Sequence, residues 1–192
     1  MPVKKRSGEK RVYQLKVVLR DIRPPIWRRI LVPHEIPLDQ LHRVLQVVMG
    51  WTDSHLHEFI INGVSYGDLS IDIDMGDDTR NEKSFKLHRV VPREKGKFHY
   101  LYDFGDCWEH EILVEKILPL EKGTHYPVCI TGKRACPPED CGGTSGYEEL
   151  LEILKDPSHP EHEEMFDWLP GDFDSGKFDV ELVNVELGGS LR

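Results

Sequence analysis

The chain has 192 residues, 39% hydrophobic and 31% charged, with a formal net charge of −9 and a pI near 5.6. That length fits one large domain, no apolar run reaches the span of a bilayer, and the acidic balance excludes a domain that is basic throughout, as nucleic-acid binders usually are. The charge is uneven, however. Residues 1–34 hold ten Lys or Arg against two acidic residues, and the remainder holds 15 against 32. The opening MPVKKRSGEKR has no apolar stretch behind it, so it does not read as a secretory signal and the expected location is the cytoplasm. In that compartment four cysteines are expected as thiols or metal ligands rather than disulfides.

Residues 1–10 read as a disordered basic tail, and 11–192 as a single α+β domain. VYQLKVVL places Val12, Leu15, Val17 and Leu19 in a β-prone run, the first predicted strand. Pro24 and Pro25 make a turn, and IWRRILV (Ile26 to Val32) follows as a second strand, with Trp27 and Ile30 on opposite faces. Leu38, Leu41, Leu45 and Val48 recur at three- and four-residue steps and predict a helix that Gly50 caps. HLHEFIING (His55 to Gly63) is a third strand ending in an Asn-Gly turn. The stretch from Ser65 to Ser84 is an acidic connection. It mimics a calcium loop, but with Asp72 first the glycine falls at position five and Lys83 at twelve, so a solvated loop is expected.

Lys97 to Leu118 is the strongest hairpin pattern, turning at Phe104-Gly105-Asp106. Cys129 to Glu149 looks too irregular for helix or strand, and a Cys-rich loop is expected over 129–146. Tyr147, Leu150, Leu151 and Leu154 then mark a helix stopped by Asp156-Pro157. Ser158 or His159 is expected to cap a further helix through Trp168, with Pro160 in its first turn. The spacing of the final residues does not decide between helix and strand. The expected fold is thus an antiparallel or mixed sheet in an α/β roll, with a β-β-α-β start, a long β-hairpin and C-terminal helices.

Chemistry concentrates in four places. Cys129, Cys136 and Cys141 stand as C-x6-C-x4-C, a spacing without the tight C-x2-C knuckle. A zinc ion there would need a fourth ligand from Cys107, His55, His57, His125 or His162. His55 and His57 alternate and are expected to share a face, with Glu58 beside them. Asp103, Asp106, Trp108, Glu109, His110 and Glu111 cluster about the hairpin tip, where a turn that needs Asp explains them as well as acid–base work does. Arg20, Arg23, Arg28 and Arg29 with Trp27 could grip phosphates or pair with acidic loops. There is no nucleophile elbow, phosphate loop, dinucleotide fingerprint or zinc-binding HExxH.

PPIWRRILVP, LHRVLQVVMGW with HLHEF, YDFGDCWEHEI, GKRACPPEDCGG with GYEELLE, and HPEHEEMFDWLPGDFD together resemble the Ri-plasmid ORF-3-like family, some members of which carry a TnpR label as passengers of an insertion element. The likeness covers residues 12 to 187. Pro37 departs from it, standing where a capping Ser or Thr is expected. The resemblance implies a compact α+β domain from plasmids, mobile elements and chromosomes, and no defined activity. The expected function is a non-enzymatic binding module whose cleft gathers His55, His57, Glu58, Asp103, Asp106, Trp108 and Glu139 near Cys136. The alternatives are a metal-dependent hydrolase acting on nucleic acid and a DNA-associated protein using the basic arm. The expected partner is a protein or nucleic acid and not a membrane, and zinc is the one cofactor the residues suggest.

Overall fold

The computed structural model describes residues 10–70, 78–169, 171 and 173–190. Most of the expected basic tail and most of the acidic 72–78 loop lie outside them. Eight strands form one sheet in the order β5-β4-β3-β6-β7-β1-β2-β8. They are β1 (Arg11–Leu19), β2 (Trp27–Pro33), β3 (His57–Ile61), β4 (Val64–Gly67), β5 (Arg80–Asn81), β6 (Lys97–Tyr102), β7 (Trp108–Pro119) and β8 (Val128–Lys133). All neighbours are antiparallel except β4 and β5. The helices are α1 (Leu38–Met49), α2 (Leu87–Val90), α3 (Gly143–Lys155), α4 (His162–Trp168) and α5 (Val180–Ser190). This is the α+β fold, with a mostly antiparallel sheet and C-terminal helices.

The alternation of the central strands makes the core. On β1 the residues Leu15, Val17 and Leu19 are buried, on β6 Phe98, Tyr100 and Tyr102, and on β7 Trp108, His110, Ile112 and Val114. Successive side chains of a strand point to opposite faces, so these rows line one face of the sheet. The α1 stripe of Leu38, Leu41, Leu45 and Val48 joins the same apolar cluster. On the other face Trp27 is covered by Lys16 and Arg29, whose charged heads lie 5.6 and 5.3 Å from its ring. Burying each large side chain contributes about 2 kcal/mol, so this cluster dominates the stability.

The local expectations need four corrections, and one element left open between helix and strand is now decided. The third strand starts at His57 rather than His55, and its Asn62-Gly63 turn leads into β4, which the acidic connection concealed. Cys129 to Lys133 falls within strand β8 (Val128–Lys133), because the edge of β2 supplies hydrogen-bonding partners that local propensity does not reveal. The irregular part of the cysteine segment is therefore only residues 134–142. Helix α4 begins at His162, with Pro160 outside it, since Ser158 Oγ bonds Asp156 Oδ1 at 2.6 Å and closes a local turn instead of capping. The final element is a helix, α5. Among the described residues no helix is long and apolar enough to cross a membrane.

His110 sits at the centre of this core with no exposure. Its Nδ1 lies 3.2 Å from the Tyr100 carbonyl, and its Nε2 has no hydrogen-bond partner among the described residues. Burial, aided by the charge of Arg28, pushes its pKa down to about 4. The unfolded chain therefore takes up the proton first as pH falls. Stability present above pH 6.5 is lost between there and pH 4, by about 3 kcal/mol from this group. Urea midpoints between pH 7.5 and 4.5 should fall more steeply for the native chain than for His110→Leu. Parallel profiles would show that the ring is not neutral in the fold.

Candidate functional site

A cleft of about 530 Å3 opens where α1, the approach to β3, the end of β4 and the Glu82–Ser84 turn meet. Asp39 and His42 enter it from α1, where a three-residue step puts them on one face. Asp53, Ser54, His55 and His57 enter from the loop into β3, Asp68 from beyond β4, and Glu82 and Lys83 from the turn. Lys83 Nζ is paired with Asp68 at 3.0 Å.

At the floor the rings of His42 and His57 stack face to face, their centroids 3.4 Å apart and their planes 3° from parallel. His42 Nε2 lies 2.7 Å from Asp53 Oδ1, and its Nδ1 lies 2.8 Å from the Tyr100 hydroxyl. A carboxylate only accepts, so the neutral ring donates through Nε2 and accepts the Tyr100 proton at Nδ1. Gln46 secures both supports. Its Nε2 donates to the Tyr100 oxygen at 3.0 Å, and its Oε1 accepts the Asp53 amide at 3.0 Å. His57 Nε2 lies 2.8 Å from Glu82 Oε2. Both rings and Glu82 are buried. Burial first, and the neighbouring His57 second, push His42 down to about 4, so the pair is not doubly charged at neutral pH.

The second cluster joins three distant segments. His55 Nδ1 lies 3.7 Å from Asp103 Oδ2 at the hairpin tip, and its Nε2 lies 3.2 Å from Asp140 Oδ1 of the cysteine segment. The latter contact is not a hydrogen bond, which leaves His55 Nε2 without a hydrogen-bond partner among the described residues. Glu139 accepts from the Thr52 amide at 3.1 Å, from the Thr52 hydroxyl and from the Tyr102 hydroxyl. Trp51 Nε1 donates to the Pro137 carbonyl at 3.0 Å, while its ring stacks on Tyr102 at 4.7 Å. Asp106 Oδ2 accepts the Gly142 amide at 3.2 Å. The loop before β3, the hairpin tip and the segment 134–142 thus meet.

Asp53, Asp103 and Asp140 all adopt the left-handed backbone, with φ near 60°. Aspartate tolerates that region better than most residues, and such geometry persists where surrounding contacts enforce it. Asp103 illustrates the cause. Its Oδ1 accepts the Gly105 amide at 2.8 Å and its carbonyl accepts the Cys107 amide at 2.7 Å, which closes the β6–β7 turn.

Other expected site residues lie elsewhere. Glu58 alternates with His57 on β3 and does not line the cleft. Trp108 is fully buried beneath Trp51, its ring centre 6.1 Å away. Among the described residues two groups bring three ligand atoms within 4.8 Å, His42-Asp53-His57 and His55-Asp103-Asp140, and neither contains a cysteine. Cys129 is buried on β8, Cys136 and Cys141 are partly buried, and Cys107 is exposed. Burial pushes the Cys141 thiol up to about 12 and raises Cys136 as well. His162 Nδ1 is bonded to the Ile153 carbonyl at 2.9 Å.

Of the arginines, Arg28 is buried against backbone carbonyls, Arg29 grips Glu115 through two nitrogens at 2.7 and 2.9 Å, and Arg20 pairs with Glu109. Arg23 is exposed. His42, Gln46, Asp53 and Glu82 escaped the sequence reading. The available signal was a polar residue inside the apolar stripe: His42 falls between Leu38 and Leu45, where solvent-facing residues do not belong.

The model of the family described as plasmid pRiA4b ORF-3-like protein matches residues 11–182. The chain belongs to that family. The uncharacterized protein y4hQ of Sinorhizobium fredii is 42% identical over 175 residues, 90% of this chain and 89% of its own. The crystal structure of MM3350 from Methanosarcina mazei Go1, titled a protein of unknown function, is similar with a TM-score of 0.82 and 42% identity. The match covers 91% of this chain and 98% of that one. Neither printed title assigns an activity.

Proposed function

We propose that this ORF-3-like chain is a binding module, and that the cleft over His42 and His57 holds a cationic group of its ligand. The observation that carries the reading is the charge of the lining. Asp39, Asp53, Asp68 and Glu82 face two cations, Arg43 and Lys83, and Lys83 is already spent on Asp68. A concave site with one excess sign focuses its field and concentrates ions of the other sign. Preformed side-chain networks such as His42-Tyr100-Gln46-Asp53 also favour recognition, because little ordering remains to be done on binding. Three groups that could act as nucleophiles are subdued. The Cys136 and Cys141 thiols are held protonated by burial, and Ser54 Oγ is hydrogen-bonded to Thr52 Oγ1 at 2.7 Å.

Thermal shifts of the full chain against divalent metal salts, spermidine, a lysine-rich peptide, nucleotides and a DNA oligonucleotide test this. Cationic probes should raise the melting temperature of the native chain and not of Asp53→Asn, whereas nucleotides and DNA should not raise it. Stabilisation by anions alone would overturn the reading. So would hydrolysis of a generic phosphoester that is lost in Asp53→Asn.

A further inference from the structure

Resting on that reading, we infer that the cationic group is a primary ammonium on an aliphatic chain. Either a free polyamine or a lysine side chain of a partner protein carries such a group. The stacked floor of the cleft favours an organic cation over a metal ion. Imidazole lone pairs lie in the ring plane, and the His42 and His57 rings are parallel and face to face, 3.4 Å apart. Their nitrogens therefore cannot converge on one ion. Each ring instead sets Nε2 against its own carboxylate, His42 against Asp53 at 2.7 Å and His57 against Glu82 at 2.8 Å. Burial pushes His42 down to about 4, so that ring adds no repelling charge at neutral pH.

The open oxygens decide which organic cation fits. Asp53 Oδ1 is taken by His42 and Glu82 Oε2 by His57. Both Asp68 oxygens face Lys83 Nζ, at 3.1 and 3.0 Å, and Oδ1 also accepts from the Ser70 amide and hydroxyl. Asp39 Oδ1 is buried, without a hydrogen-bond partner among the described residues. What faces the cleft is single oxygens on separate side chains, Asp53 Oδ2 foremost, because that side chain is 51% exposed. A guanidinium gains most from two oxygens of one carboxylate, and no carboxylate of this lining has two open ones. A quaternary ammonium needs the face of an aromatic ring, and here the two imidazole faces are turned on each other. A primary ammonium points three donors in diverging directions and takes single oxygens from several side chains. The wall already holds one such group, since Lys83 Nζ lies against Asp68 and 3.4 Å from Ser70 Oγ.

The cleft has room for more than the ammonium. Its volume of about 530 Å3 falls in the range of small-ligand sites. Leu56 and the methylene stems of Arg43 and Lys83 line it as well and supply apolar surface for a carbon chain.

The test titrates the full chain with butylamine, butylguanidine and butyltrimethylammonium, all cations at neutral pH, and reads affinity from backbone amide chemical shifts. The amine should bind at least about tenfold more tightly than the other two. Asp53→Asn should weaken its binding about tenfold or more, while Asp140→Asn, outside the cleft, should leave it unchanged. Should Asp53→Asn fail to fold, Asp39→Asn decides, with the same loss expected. Spermidine and a lysine-rich peptide then separate the two sources, the tighter binder naming the carrier of the ammonium. Equal or tighter binding of the guanidine, or undiminished amine binding in both aspartate variants, would overturn the assignment. If the guanidine bound more tightly and lost its affinity in Asp53→Asn, the cation-binding function itself would stand; if no cation bound through Asp53, both would fall.

Discussion

Replacing Arg28 by alanine should lower the stability by about 4 kcal/mol, the largest loss expected from any single side chain outside the apolar core. The guanidinium is 1% exposed. It donates through Nε to the Val48 carbonyl at 2.6 Å and through Nη1 to the Trp27 and Lys133 carbonyls, each at 3.0 Å. Its carbon lies 3.9 Å from the centre of the Phe178 ring. One side chain on β2 therefore fastens the C-terminal turn of α1, the end of β8 and the residues leading into α5. Val48 is among the last residues of α1, where a cation also answers the negative end of the helix dipole. Truncation removes the donors of one buried and two part-buried acceptors at once. Arg28→Lys should recover less than half of the loss, because a single ammonium cannot reproduce the planar fork. Urea unfolding would show the effect as a lowered midpoint at constant slope. A loss below about 1 kcal/mol would mean that water reaches these carbonyls.

Gly146→Ala is the second severe substitution, expected to cost about 3 kcal/mol through a clash of backbone rather than a lost contact. A Cβ there would stand 1.9 Å from the Cys141 carbonyl oxygen and 2.9 Å from its carbon. The Gly146 amide also bonds the Gly142 carbonyl at 3.1 Å, which fixes the first turn of α3 against the loop. Gly143 beside it is left-handed and would press on the Asp106 carbonyl at 2.6 Å. Neither neighbour is a flexible side-chain end, so relief requires the segment 134–142 to lift away from the hairpin tip. The matching control is Gly189→Ala in α5, which meets nothing within 4 Å and should be neutral or stabilising by up to about 1 kcal/mol. Unfolding midpoints of the two variants should move in opposite directions or differ by at least about 2 kcal/mol; equal midpoints would rule out the close approach.

The fold was largely legible because its elements carry strong periods. The stripe of α1 and the aromatic alternation of β6 and β7 each identify their element without tertiary help. Elements that depend on a neighbour were not legible. Strand β8 pairs along β2 although its own sequence, VCITGK, has little apolar alternation, and β5 is two residues paired to β4.

The site followed the same division. His57 and Asp103 stood out as residue types at revealing places. His42 was hidden because it sits within a helix whose apolar pattern explained the segment without it. Glu82 was hidden because its role depends on burial against β3, which acidic composition argues against. The basic-aromatic group around Trp27 shows the converse. The pattern is real, but Arg28, Arg29 and Lys16 serve the sheet's own packing. Charge next to an aromatic ring in a sequence does not reveal whether its partner lies inside the molecule or outside it.

The contacts of the second cluster bear on how the protein comes into being. They join Trp51 to Pro137 and Thr52 to Glu139, residues 86 and 87 positions apart in the chain. Closing so long a loop is slow compared with forming a helix or hairpin. During synthesis α1, β3 and the β6–β7 hairpin leave the ribosome first, and the nascent chain carries both histidines for some time before residue 140 can dock. The segment 134–142 therefore docks late, onto a hairpin tip and a loop before β3 that are already in place.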